Sequence, residues 1–138
     1  IDDINILQSS FLAMHKAIDN ITKDIDHLLV DGHIFKPYID NKEGEFVPHT
    51  CIIEGDNKYL SIAAASILAK ESRDEYMINL CEKNEYLKKY GWEKNKGYAT
   101  KQHREAIMNL GITKYHRHTF GICKRIKRQL YENNKNKD

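Results

Sequence analysis

Residues 59–83 set the strongest constraint on what this chain can fold into. Over 59–69 the sequence is apolar on nearly every side, with Ile62, Ala63, Ala64, Ala65, Ile67 and Leu68 in close succession. That pattern predicts a helix buried all round, with small residues that allow close approach to a sheet. Met77, Leu80 and Cys81 continue at helical spacing, so one long helix is expected over 59–83, amphipathic in its second half. A buried helix needs a layer to lie against, and two short apolar runs supply one. Leu28-Leu29-Val30 ends at Asp31-Gly32, and Cys51-Ile52-Ile53 ends near Gly55-Asp56. Each reads as a buried strand with a carboxylate at its C-terminal tip. Strands interleaved with helices predict an α/β layer.

Around this frame, Ile4, Leu7, Phe11, Met14, Ile18 and Ile21 mark the core-facing side of a helix, with Asp2 and Asp3 in its first turn. Residues 33–49 hold both prolines and a polar run over 40–45, and read as a loop. Residues 90–99 form a glycine-containing loop. Thr100 is an N-cap for a helix over 101–109, and Gly111 its stop. The polar residues 133–138 are expected to fray. A length of 138 residues fits one domain. No apolar run reaches the roughly 18 residues of a membrane span. Cys51, Cys81 and Cys123 form no CxxC, which points to a reducing, cytoplasmic setting. Nothing signals an oligomer, so a monomer is expected. The chain opens at Ile1, not at methionine, and is expected to begin inside a longer protein.

The formal charge of +2 conceals a gradient. Residues 1–56 hold 4 basic and 11 acidic side chains, whereas residues 86–130 hold 12 basic and 2 acidic. A basic stretch of this length suits a polyanion such as nucleic acid, whose phosphate counterions Lys and Arg displace. A solvated surface balanced by the acidic half is the plainer alternative.

Several residues could carry chemistry. Asp31 and Asp56, brought together by adjacent strands, would be crowded, buried carboxylates that need a cation or a proton to coexist. Hard divalent ions take such oxygen ligands. Asp beside Gly after a strand is also ordinary turn chemistry. Tyr98, in the basic loop Asn95-Lys96-Gly97-Tyr98-Ala99-Thr100, could stack on a base or sugar or bond a 2′-hydroxyl, or simply pack. Ser66 and Lys70 share a helix face at i, i+4 and could meet phosphate; a small packing residue and a snorkelling lysine would look the same. The histidines of His116-Arg117-His118 diverge, so a structural or phosphate-facing role suits them better than a metal.

These segments together resemble the ribonuclease HII family. The likeness runs through Leu28-Leu29-Val30-Asp31-Gly32, Gly55-Asp56, the block Ser61-Ile62-Ala63-Ala64-Ala65-Ser66-Ile67-Leu68-Ala69-Lys70 and Arg73-Asp74. It continues in Tyr90-Gly91-Trp92, in Asn95 to Thr100, and in Gly111, His116-Arg117 and Phe120. The resemblance implies a ribonuclease H-like fold, a mixed sheet flanked by helices. It implies a metal-dependent endoribonuclease using Mg²⁺ or Mn²⁺. Such an enzyme hydrolyses the RNA strand of RNA–DNA hybrids and cuts 5′ of single ribonucleotides in duplex DNA, leaving 3′-hydroxyl and 5′-phosphate ends. It also implies that Asp31 and Asp56 are catalytic metal ligands, that Tyr98 senses the ribonucleotide, and that Ser66 and Lys70 contact phosphate.

The chain departs from the family pattern in lacking the adjacent Asp-Glu pair and the Gly-Arg-Gly segment of the first strands. The sheet is therefore expected to be incomplete, with residues 1–130 the C-terminal two-thirds of the domain and 131–138 a polar tail. His33 and Glu54 stand where the family usually has Asn and Lys. The alternative expectation is a non-catalytic nucleic-acid-binding fragment of such an enzyme, with this chain alone inactive.

Overall fold

Parallel pairing of two short strands organises the first part of the chain. In the computed structural model, which describes residues 1–40 and 44–135 (backbone alone for 130–135), β1 (Leu28–Asp31) lies beside β2 (His49–Ile52), with Val30 opposite Cys51 and Asp31 opposite Ile52. The ladder is closed by Leu28 N–H to Pro48 O and Gly32 N–H to Ile52 O, both 2.9 Å. Period-two alternation sends Leu28 and Val30 to one face and Leu29 and Asp31 to the other. Val30 is buried, whereas Leu29 and Asp31 are exposed.

The α/β expectation is met, with helices and a two-stranded parallel sheet. The chain divides into two compact units, Asp3–Lys70 with Ile1, and Glu71–Asp138 with Asp2. In the first, α1 (Asn5–Asp19) delivers Phe11 to a core of Val30, Phe35, Tyr38 and Val47. Three of those five come from the irregular connection between the strands, so the loop read from its prolines is itself core-forming. Part of its polar run, residues 41–43, lies outside the described residues.

The α1 expectation needs correction. Phe11 is buried and Ile18 half-buried, but Ile4, Leu7, Met14 and Ile21 are exposed. The two-stranded sheet is too narrow to cover the whole stripe. The first turn carries no acidic residue; Asn5 Oδ1 accepts the Gln8 N–H there at 3.1 Å. Asp2 belongs to the second unit instead. It accepts the backbone N–H groups of His118 and Thr119 at 3.0 Å and the Thr119 hydroxyl at 2.6 Å. The bonds from Thr119 hold its carboxyl down at about 2.

The long helix α2 (Leu60–Lys83) forms where expected, but its apolar half is not buried. Leu60, Ile67 and Leu68 are 87%, 63% and 68% exposed, and Ala64 and Ala65 are exposed too. Ile62 is the buried residue of this half, packed close to Gly55. The sheet's apolar face is already occupied by α1 and the connecting loop, which leaves the described residues no layer for the rest.

In the second unit, Met77 and Leu80 of α2 flank a core of Cys81, Leu87, Tyr90, Trp92, Ile107 and Cys123. A 3₁₀ turn over Glu85–Tyr90 and the single turn α3 (Trp92–Asn95) replace the first half of the loop expected over 90–99. Thr100 caps α4 (Lys101–Leu110), its hydroxyl accepting the His103 N–H at 3.2 Å, and Gly111 follows the helix, as read from the sequence. Helix α5 (Gly121–Lys135) extends into the expected frayed tail, of which residues 136–138 lie outside the described residues.

Candidate functional site

The strand tips set the first group of candidate residues. Asp31 ends β1. Beyond β2, Glu54 takes a left-handed conformation (φ 55°) and turns the chain into a 3₁₀ turn, Gly55–Asn57, which carries Asp56. Asp56 therefore sits past the strand and not at its tip. The turn is tied back to the first strand by a bond from Gly55 N–H to Asp31 Oδ1 at 2.8 Å. Gly55 is packed tightly here: a Cβ would lie 2.7 Å from Ile62 Cδ1, the movable end of that side chain, and 3.3 Å from Asp31 Oδ1. The missing side chain lets the turn approach Asp31, so Asp31 touches the residue next to Asp56.

Both carboxylates are exposed, which corrects the expectation of a buried, crowded pair. Among the described residues, no cluster of three or more His, Cys, Asp or Glu could hold a metal. Two oxygen-donor side chains nevertheless suit Mg²⁺, which keeps several waters and commonly takes one or two carboxylates together with substrate phosphate. Glu54 is exposed in the same turn and adds a third acidic side chain to it. Ser66 and Lys70 stand four residues apart on α2, both exposed.

Tyr98 lies in the second unit, in a loop held by several hydrogen bonds to its backbone. Asn95 is buried, donates to Tyr90 O at 2.9 Å and accepts Gly97 N–H at 2.8 Å. Lys96 and Gly97 both have positive φ, 50° and 78°. Arg73 Nη2 donates to Lys96 O at 2.8 Å, and its guanidinium lies 4.5 Å over the Tyr98 ring centroid. Tyr98 N–H reaches Asn95 O, and Thr100 N–H reaches Tyr98 O, both at 2.8 Å. Tyr98 as a whole is 53% exposed.

Sequence reasoning missed what stands behind this loop. Trp92 Nε1–H donates to His103 Nε2 at 2.9 Å, His103 Nδ1 lies 2.9 Å from Tyr98 O, and His103 Nε2 lies 3.3 Å from His116 Nε2. Thr113 N–H donates to His116 Nδ1 at 3.0 Å. All three rings are buried. Burial, with His103 alongside, pushes the His116 imidazole down to about 4, so it is neutral near pH 7. The lone tryptophan flanked by a Tyr-Gly pair was the available signal. For His116-Arg117-His118 the structural reading is correct for His116; His118 Nε2 lies 2.9 Å from Thr113 O.

The family model described as Ribonuclease HII matches residues 1–123. A Ribonuclease HII of Christiangramia forsetii is 55% identical over 122 residues, covering 88% of this chain and 57% of that protein. One from Parabacteroides distasonis is 58% identical over 122 residues, again 88% of this chain and 57% of that protein. A more distant one from Flavobacterium psychrophilum is 44% identical, covering 88% of this chain and 61% of that protein. The chain thus spans somewhat over half the length of the curated relatives it matches.

Proposed function

We propose, from the fact that this chain belongs to the ribonuclease HII family, that it serves a metal-dependent endoribonuclease. Its substrates would be RNA–DNA hybrids and duplex DNA carrying single ribonucleotides, cut on the 5′ side of the ribonucleotide to leave 3′-hydroxyl and 5′-phosphate ends. The observation that carries the proposal is the Gly55 bond to Asp31, which fastens the turn bearing Asp56 to the end of β1. The two-stranded sheet would be part of a larger mixed sheet of the ribonuclease H type. No helix among the described residues is long and apolar enough to cross a membrane. The three free thiols suit a cytoplasmic setting, and a monomer is the simplest state.

In this reading Asp31 and Asp56 would hold Mg²⁺ or Mn²⁺ through their exposed oxygens. A bound divalent ion supplies activation of water and charge stabilisation at the phosphate. The Ser66 hydroxyl and Lys70 ammonium are suited to phosphate oxygens, one as hydrogen-bond donor and the other as a point charge. The Tyr98 phenol, exposed on its braced loop, can bond a 2′-hydroxyl, the group that distinguishes ribose from deoxyribose.

The test is cleavage of a duplex with one embedded ribonucleotide by the full-length protein. Cutting should need Mg²⁺ or Mn²⁺ and disappear in Asp31→Asn. Cutting that persists in both Asp31→Asn and Asp56→Asn would refute the assignment. A second reading is favoured by the absence, among the described residues, of any cluster of three or more side chains that could hold a metal: this chain by itself binds duplexes in a salt-sensitive way without cutting them. Robust cleavage by these 138 residues alone would exclude it.

A further inference from the structure

An exposed side chain that must distinguish a single hydroxyl needs a backbone that does not move. Tyr98 has an exposed ring, so core packing does not orient it. Its carbonyl instead accepts two bonds, from Thr100 N–H at 2.8 Å and from the His103 ring at 2.9 Å. Whether His103 can donate depends on which nitrogen carries hydrogen, and the surrounding donors decide that. The Trp92 indole can only donate, so His103 Nε2 accepts and the hydrogen sits on Nδ1. Thr113 N–H fills His116 Nδ1, so His116 carries its hydrogen on Nε2 and directs it at the same His103 Nε2. Two donors converge on one nitrogen, and the opposite nitrogen is left to hold the Tyr98 carbonyl. Donors on one ring nitrogen and an acceptor on the other fix a single tautomer of the ring.

We infer that His103 is a positioning residue for Tyr98, with Trp92 and His116 fixing the tautomer that lets it donate to the Tyr98 carbonyl. The inference rests on the reading of Tyr98 as the ribose-sensing residue. Loss of the His103 nitrogens would leave two buried donors, the Trp92 N–H and the His116 N–H, unmatched and take from the Tyr98 carbonyl one of its two bonds, and the loop would rearrange in response. Displacement of a substrate-orienting group by about 1 Å is enough to cost on the order of 10²-fold in rate.

Two variants of the full-length protein separate positioning from mere packing. His103→Phe keeps ring volume and removes both nitrogens. His103→Asn keeps a short amide N–H that can reach the Tyr98 carbonyl. Expected for His103→Phe are a kcat lower by roughly 10²-fold on a ribonucleotide-containing duplex, a KM within about twofold, and faster amide exchange across 96–100. His103→Asn should recover much of the rate. Combining His103→Phe with Tyr98→Phe should cost little more than the worse single change. A His103→Phe protein that melts earlier yet keeps kcat, ribonucleotide preference and slow exchange in the loop would overturn the inference, as would failure of His103→Asn to rescue a folded protein. If Tyr98→Ala leaves ribonucleotide preference intact, the reading of Tyr98 fails; loop exchange in His103→Phe still decides whether His103 is the anchor.

Discussion

The strand ends and the tyrosine loop carry the candidate chemistry under opposite mechanical conditions. Around Tyr98, the buried Asn95 side chain, the Arg73 guanidinium and the His103 ring all bind backbone between Tyr90 and Tyr98. At the strand ends, Asp31 takes the Gly55 amide, and both carboxylates face water. On the proposed reading, the difference matches what each would meet. Carboxylates that receive a hydrated cation gain from open oxygens, because the ion brings its own waters. A phenol that reads one hydroxyl gains from a fixed backbone, since its ring is already exposed. The same contrast runs through the packing. The second unit closes around aromatic rings and polar bonds, while the apolar half of α2 in the first unit lies largely exposed.

The largest expected effect tests that packing contrast directly. Leu87 is fully buried beside Trp92, and Leu87→Ala should cost about 2–5 kcal/mol. Leu68 is the more hydrophobic-looking position by sequence, yet Leu68→Ala should change stability by no more than about 0.5 kcal/mol. Urea unfolding, followed by Trp92 fluorescence for the second unit and far-UV circular dichroism for both, measures the two. Equal losses would show that Leu68 is covered in solution and would dissolve the comparison.

Much of this was legible from residues alone, and the failures share a cause. Thr100 as cap, Gly111 as stop, and both strands follow from local chemistry, and the structure has them. Asp31 and Asp56 were legible as candidates because a carboxylate after an apolar run is a local pattern. Their exposure was not, because it depends on where the chain goes next, and Glu54 in a left-handed turn moves Asp56 off the strand. The burial of α2 was misjudged because composition says which residues prefer a core and not which partner reaches them. Asp2 was assigned to a helix start by proximity in sequence, but its partners are Thr119 and His118, at the far end of the chain. The Trp92–His103–His116 network was invisible for the same reason: residues 92, 103 and 116 share no period that marks them as one cluster.

The second prediction concerns acid. His116 is held at about 4 in the folded state, against about 6.5 for an ordinary imidazole, because burial disfavours its charged form and His103 lies alongside. The unfolded chain therefore binds the extra proton first as pH falls. The stability that His116 contributes should be complete above about pH 6.5, decline as pH drops toward 4 and be lost below, a total of up to about 3 kcal/mol. Unfolding midpoints at pH 7 and pH 4.5 check it. In His116→Asn, which retains a polar group without a titration in this range, the decline between those values should shrink. An unchanged decline would mean that the acid sensitivity lies in groups other than His116, and the buried ring cluster would no longer account for it.

The smallest effect asks whether the loop's rigidity comes from its bonds to buried side chains or from the helix that follows it. The Thr100 hydroxyl accepts His103 N–H at 3.2 Å, at the start of the helix that carries His103. Thr100→Ala should cost about 1 kcal/mol, the usual loss of an N-cap, and Thr100→Asp should recover it, with a further gain from negative charge at the helix N-terminus. Because His103 is also tied through its ring to Trp92 and His116, the cap is not its sole restraint. Amide exchange across 96–100 should therefore stay slow in Thr100→Ala even as α4 loses its first turn. Exchange that rises as much as in His103→Phe would place the rigidity in the helix start, and the loop would then differ from the strand ends only in having a capped helix behind it.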